Sequence, residues 1–333
     1  MLCACFTGCD GKGKSAYEIW IENGNTGTEQ DFLDSLKGAN GQTPTIEINS
    51  DGYWVINGVD TGVKARAEIK ASQGLRYELQ DGSYIVTGME DCTDTDLVIP
   101  SSYNGKPVIG IGEGAFYNST TITSVTILDG VKTIGGAAFL YCSSIKRVSI
   151  PDSVTSIGYM AFFSCESLTD INLPDSLTSI GHQAFSYCSS LTSVTIPENI
   201  TAIADQTFFN CTSLKNVSIG SKVESIGNMA FQGCQFTDVT IPDSVTVVKY
   251  RAFFNCPSLE SVVIGSGATV IGNNAFASCN NLTSVEFSIK TGWFVADSES
   301  ATSGEAVDVS TGEGAAQLLT GTYKDMYFLR SAE

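Results

Sequence analysis

The chain has 333 residues, with 36 acidic against 18 basic side chains and a formal net charge of −18. A field of that sign repels a phosphate backbone, which disfavours nucleic acid as a partner and suits solubility outside a cell. No stretch approaches the roughly 18 consecutive apolar residues of a spanning helix.

The first residues, MLCACFTGC, are apolar or small and reach cysteine at Cys5 and again at Cys9. Leu2-Cys3-Ala4-Cys5 and Phe6-Thr7-Gly8-Cys9 both approximate the cleavage box of a bacterial lipoprotein signal, whose cysteine is acylated after processing. Residues 1–14 are therefore expected to be the tail of such a signal and a Gly/Lys linker, with Cys9 and Cys5 as the lipid-attachment candidates. One acyl chain anchors only marginally, so a second signal or a multiply acylated cysteine is required.

Residues 15–72 are expected to form a small α+β spacer. Tyr17, Ile19 and Ile21 fall on one face of a strand over 15–22, and Thr28 with Glu29 and Asp31 opens a helix whose apolar stripe is Phe32, Leu33 and Leu36. Gly38 closes that helix. Strands are expected over 45–48 and 53–56, the second leading into an Asn57-Gly58 turn. Residues 73–110 are expected to form an N-terminal cap, beginning with a hairpin of 76–80 and 83–87 around Asp81-Gly82.

A tandem repeat occupies 111–287. Phe116, Phe139, Phe162, Phe185, Phe208, Phe231, Phe253 and Phe276 are spaced by 23 residues, with one interval of 22 between Phe231 and Phe253. Such a period marks a solenoid, in which one unit recurs and buries its apolar face against its neighbours. In the copy CESLTDINLPDSLTSIGHQAF, Ile171 and Leu173 alternate with Asp170 and Asn172, the period of a strand with one face to water. Pro174-Asp175-Ser176 reads as a turn, Leu177 and Ile180 face inward again, and Gly181 is expected to allow a tight corner. Ala184-Phe185 is expected on a short helical turn, with the ring in the coil centre. Strands about 4.8 Å apart would then stack the eight rings as a structural ladder. In the tail, 288–333, Trp293, Phe294, Val307, Val309, Tyr323, Tyr327, Phe328 and Leu329 suit a C-terminal β cap, with a short helix over 315–319.

The repeat resembles the BspA-like branch of the bacterial leucine-rich repeat proteins. DTDLVIPSSYNGKPVIGIGEGAF resembles the opening coil of that family, and GWFVADSESATSGEAVDVS with LLTGTYKDMYFLR resembles its C-terminal segment. SAYEIWIENGNTGTEQDFLDSLKG and DGYWVINGVDTGVKA are similar to modules found beside the anchor site of bacterial surface lipoproteins. The expected fold is a leucine-rich repeat solenoid, β-rich with 23-residue coils and short helical turns. The resemblance implies a non-enzymatic protein on the bacterial cell surface that binds host matrix or serum proteins, or other cells.

Few residues suggest chemistry. Cys142, Cys165, Cys188, Cys211, Cys234, Cys256 and Cys279 recur once per coil, without the paired spacing of a zinc site, and parallel side chains in register pair poorly as disulfides. Packing is the reading for them. His182, the single histidine, sits in a slot filled elsewhere by Tyr159, Asp205, Asn228 and Asn273, and reads as a solvent-facing residue. Asp129, Asp152, Asp175, Glu198 and Asp243 recur at the turn; they are turn-capping residues first and an acidic calcium edge second. No catalytic residue, metal site or cofactor is expected.

The expected binding surface is the outward strand face: Arg147, Asp170, Asn172, Ser193, Thr195, Asn216, Ser218, Asp238 and Thr240. Phe163, Phe209 and Phe254 form a rival contact edge at the turn. The expected function is protein-protein interaction and adhesion. The alternative is a glycan-binding or envelope-structural lipoprotein, contacting the membrane only through its lipid.

Overall fold

The computed structural model describes residues 70–331, together with three strands before them. The chain divides into two units, Met1–Lys70 and Ala71–Glu333. In the first, strands Ile46–Ile48, Tyr53–Ile56 and Val59–Lys64 form an antiparallel sheet in that order, Ile56 pairing with Ile46 on one side and Val59 on the other. The expected strand over 15–22, the helix after Thr28 and the lipidation candidates Cys5 and Cys9 lie outside the described residues.

The second unit is a solenoid whose coils stack in parallel. One side of every coil is the expected strand, giving a first ladder from Asp96–Ile99 through Ser124–Ile127, Arg147–Ser149 and Asp170–Ile171, then onward to Ser284–Phe287. A second parallel ladder, unforeseen as strands, runs through Lys106–Ile111, Thr133–Ile134, Ser156–Ile157 and Ser179–Ile180, and resumes from Ala202–Ile203 to Val270–Ile271. Threonine hydroxyls knit its rim: Thr178 Oγ1 donates to the Thr155 carbonyl and Thr269 Oγ1 to the Thr246 carbonyl, both at 3.1 Å.

The third side departs from expectation. Ala184-Phe185 lies on a chain of tight turns rather than a helix, flanked by left-handed residues Gln183 (φ 58°) and Tyr187 (φ 59°). The amides of Ala184, Ser186 and Cys188 bond three residues back in their own coil, while those of Gln183, Phe185 and Tyr187 donate to Asp205, Thr207 and Phe209 in the next. A helix would spend these donors inside its own turn. Alternation lets half of them tie neighbouring coils together.

Gly181 also has a different cause from the one expected. Its φ is not left-handed; instead a Cβ there would stand 2.5 Å from the Tyr159 nitrogen and 2.6 Å from the Gly158 carbonyl carbon. It is the preceding coil's backbone that occupies the space.

The core is the expected file of rings. All eight phenylalanines are buried, neighbouring centroids are 5.1–5.5 Å apart, and the rings lie within 14° of parallel. In the 22-residue coil Phe236 takes the inward place that Leu214 holds one coil earlier, and meets both Phe231 and Phe253 edge-on at 6.0 Å.

Both ends are covered, as exposed sheet edges must be. The hairpin Leu75–Gln80 and Ser83–Met89 turns through Asp81 (φ 46°) and Gly82 (φ 83°) and adds Ser83–Met89 parallel to Lys106–Ile111, closing the second ladder. Ser72 closes the first, donating its amide to the Val98 carbonyl and accepting the Val98 amide on Oγ. At the far end, Tyr327–Arg330 runs antiparallel to Val270–Ile271 and continues into Trp293–Ala296 and Glu305–Ala306. The short helix spans Gly312–Gln317, capped by Thr311, and packs across Ser284–Phe287.

Candidate functional site

A parallel ladder in strict register turns one slot of the repeat into a straight row of side chains. Asp96, Ser124, Arg147 and Asp170 share such a row, and Thr126 sits beside Ser149. Ser193 pairs with Asn216 and Thr195 with Ser218; further on, Asp238 leads to Ser261 and Ser284, and Thr240 to Val263 and Glu286. The expected residues of the outward face that fall on paired strands are thus on that face, and Asn172 follows Asp170–Ile171 directly. Arg147, Asp170, Asn172, Thr195, Asn216, Ser218, Asp238 and Thr240 are exposed, and Ser193 is half-buried.

These side chains are also free of structural duty. Among the described residues, Asp238 alone of the set takes a side-chain hydrogen bond, from Thr237 at 3.1 Å. The threonines just before each strand are different: Thr169, Thr192 and Thr283 donate to the carbonyls of Lys146, Thr169 and Glu260. At the start of the row Asp96 accepts Ser124 Oγ at 2.6 Å and Thr123 Oγ1 at 3.2 Å. Those bonds, with a smaller contribution from the Arg147 charge, hold its carboxyl below the usual range.

The remaining candidates separate cleanly. The seven ladder cysteines are free and buried, and each thiol donates to the carbonyl of the phenylalanine one coil back, as Cys142 does to Phe116 at 2.9 Å and Cys279 to Phe253 at 3.0 Å. Burial pushes the Cys142 and Cys188 thiols up to about 12. His182 is exposed. In the acidic turns, Glu198 accepts the Ser221 amide and hydroxyl, and Asp243 accepts the Ser266 amide at 2.6 Å. The backbone they cap belongs to the next coil. Among the described residues, no three His, Cys, Asp or Glu side chains converge as a metal site.

The turn edge holds more aromatic surface than the repeat pattern announces. Phe163 and Phe209 are half-buried, but Tyr117, Tyr141 and Tyr187 complete the same edge and are 56%, 43% and 39% exposed. Tyr141 and Tyr187 sit two positions after the ladder phenylalanine, where Phe163 and Phe209 sit one after it. A search at fixed repeat position therefore passes over them. Phe254 stands further along, with the Arg251 guanidinium 4.7 Å over its ring.

The family model described as the BspA type leucine rich repeat region matches residues 109–234 and 201–294, in six copies. Among solved structures, a leucine rich cell surface protein from Faecalibacterium prausnitzii A2-165 is similar at 29% identity and a TM-score of 0.51, over 66% of this chain and 76% of that one. A leucine-rich repeat protein of T. pallidum is 26% identical over 64% of this chain and 90% of its own, with a TM-score of 0.47. One from Bacteroides ovatus ATCC 8483 is 26% identical over 66% of this chain and 71% of its own, with a TM-score of 0.38. No curated protein matches the chain.

Proposed function

The chain belongs to the BspA-type leucine-rich repeat family, and on that basis we propose that it is a non-enzymatic bacterial surface protein that binds an extracellular protein through the first ladder. The observation that carries this reading is the row structure: exposed polar side chains from Arg147 to Thr240, in register within each run of paired strands, almost none engaged in holding the coils together. Groups without an internal partner are available to an external one, and the face extends over many coils, as a large protein partner requires. The likeness to a leucine rich cell surface protein supports the location. Adhesion to host matrix or serum proteins is the role such a face would serve, with the chain held at the membrane by acylation of Cys9 or Cys5.

The test is capture of matrix and serum proteins by the immobilised full chain, with and without a chelator. Saturable capture of a defined protein is expected. The triple variant Ser193→Arg, Thr195→Arg, Asn216→Arg should lose it while melting at the same temperature. Undiminished capture by that variant would move the binding surface off the first ladder.

A further inference from the structure

The turn edge carries an unbroken file of aromatic rings across five coils. Centroids step from Tyr117 to Tyr141 at 5.9 Å, to Phe163 at 5.7 Å, to Tyr187 at 5.3 Å and to Phe209 at 5.3 Å. Unlike the buried phenylalanine ladder, this file reaches solvent.

The way it is built shows that packing alone does not account for it. The position two after each ladder phenylalanine is left-handed in every coil from Asn118 to Ser278. Asn118, Ser164, Asn210, Gly233, Asn255 and Ser278 are small or amide-bearing residues there, and glycine and asparagine are those that visit this region most readily. The two exceptions are Tyr141 (φ 62°) and Tyr187 (φ 59°). Within the five coils of the file they occur in the two where the preceding position, Leu140 or Ser186, is not aromatic, and they fill those gaps; beyond Phe209, Gln232 and Ala277 are followed by Gly233 and Ser278, and the file ends. The left-handed backbone itself belongs to the turn, since Met160, Gln183, Gln206, Met229 and Arg251 share it two residues before the ladder phenylalanine. What points to a function is that the two tyrosines make a surface row continuous across these coils.

We propose that this file is a binding site for an uncharged polysaccharide chain, separate from the first ladder. A pyranose ring offers a weakly polar C–H face that lies on an aromatic ring, and hydroxyls at its rim. Tyrosine matches both, with an apolar body and a polar tip. The centroid spacing is regular, as is a polymer of like sugars, and successive rings are turned 59–89° from one another, so that the file offers both ring faces and ring edges. The flank that follows the rings is nearly neutral: over residues 117–121, 140–144, 163–167, 186–190 and 209–213, Glu166 is the one charged side chain, and Asn118, Ser143, Ser189 and Asn210 supply hydroxyl and amide groups; the preceding flank adds Glu113 and Asp205. In a chain of net charge −18 that neutrality selects an uncharged ligand.

The test is migration of the full chain through native gels containing a soluble β-glucan, a mannan or a xylan, with hyaluronan as the charged control. Retardation by at least one neutral polymer is expected. The variant Tyr141→Asn, Tyr187→Asn installs a residue the fold already uses at this corner; it should melt at the same or a higher temperature and bind about tenfold more weakly or worse. The Ser193→Arg, Thr195→Arg, Asn216→Arg variant should remain retarded, which separates this site from the strand face. Free migration in all three neutral gels, retardation by hyaluronan alone, or equal retardation of the tyrosine variant would each overturn the proposal. So would loss of protein capture by the tyrosine variant in a chain that binds none of the polymers, an outcome that would give the edge to a protein partner.

Discussion

The thiol of Cys188 donates to the carbonyl oxygen of Phe162, one coil back, at 3.2 Å, and the same oxygen accepts the Cys165 amide at 3.2 Å. The ladder cysteine is thus a hydrogen-bonding part of the coil-to-coil contact as well as a small apolar one. Reactivity belongs to the thiolate, which burial disfavours at Cys188.

This predicts an alkaline limit to stability. The Cys142 and Cys188 thiols are pushed up to about 12 in the folded chain, against about 8.5 for an unperturbed thiol. Between those values the unfolded chain has released protons that the folded chain retains, so the stabilisation is complete below the unfolded value and is lost as pH rises through the window. Melting temperature measured from about pH 8 to about pH 11 should fall. Replacing both cysteines by alanine should lower the starting value and flatten the slope; an unaltered slope would assign the loss to other groups.

The phenylalanine file predicts position-dependent costs. Phe185 is stacked between Phe162 at 5.4 Å and Phe208 at 5.5 Å, whereas Phe116 stacks on Phe139 alone among the ladder rings described. Phe185→Ala should cost roughly 3–5 kcal/mol in urea unfolding, and Phe116→Ala less. Equal losses would contradict the stacked-file account.

Gly181→Ala should destabilise by about 1–3 kcal/mol, since the added carbon meets neighbouring backbone rather than a movable side chain. Gly82→Ala, with nothing within 4 Å of the added carbon, should cost only its left-handed strain, about 1 kcal/mol. Denaturant midpoints of the two variants decide the ranking.

Chelation should leave the melting curve where it is. Glu198 and Asp243 already accept hydrogen bonds from Ser221 and Ser266 of the next coil. A rise in melting temperature on adding calcium, reversed by EDTA, would restore the acidic turns as a metal edge.

A single sequence discloses whatever repeats in place. The phenylalanine and cysteine slots and the outward face from Arg147 to Thr240 are fixed by period and alternation, so their positions are legible in one dimension. The second ladder is not: Ser179–Ile180 offers two residues per coil, too short for alternation to register, and its pairing is with Ser156–Ile157 in another coil. The turn around Phe185 is hidden for a related reason. Its local pattern suits a helix, but the competing demand is from the amides of Gln183, Phe185 and Tyr187, which bond across coils. Tyr141 and Tyr187 escape notice because a side chain can join a row from an adjacent backbone position, which a fixed-slot reading does not search.

The coil that closes with 22 residues shows what is conserved between coils. It is one residue short, yet Phe231 and Phe253 still stack at 5.4 Å and Ser225 still pairs with Val247. Phe236 replaces in girth what the loop gives up in length. What is held constant from coil to coil is therefore the stacking distance and the strand register, and in this coil a larger side chain stands where the loop between cysteine and strand is one residue shorter.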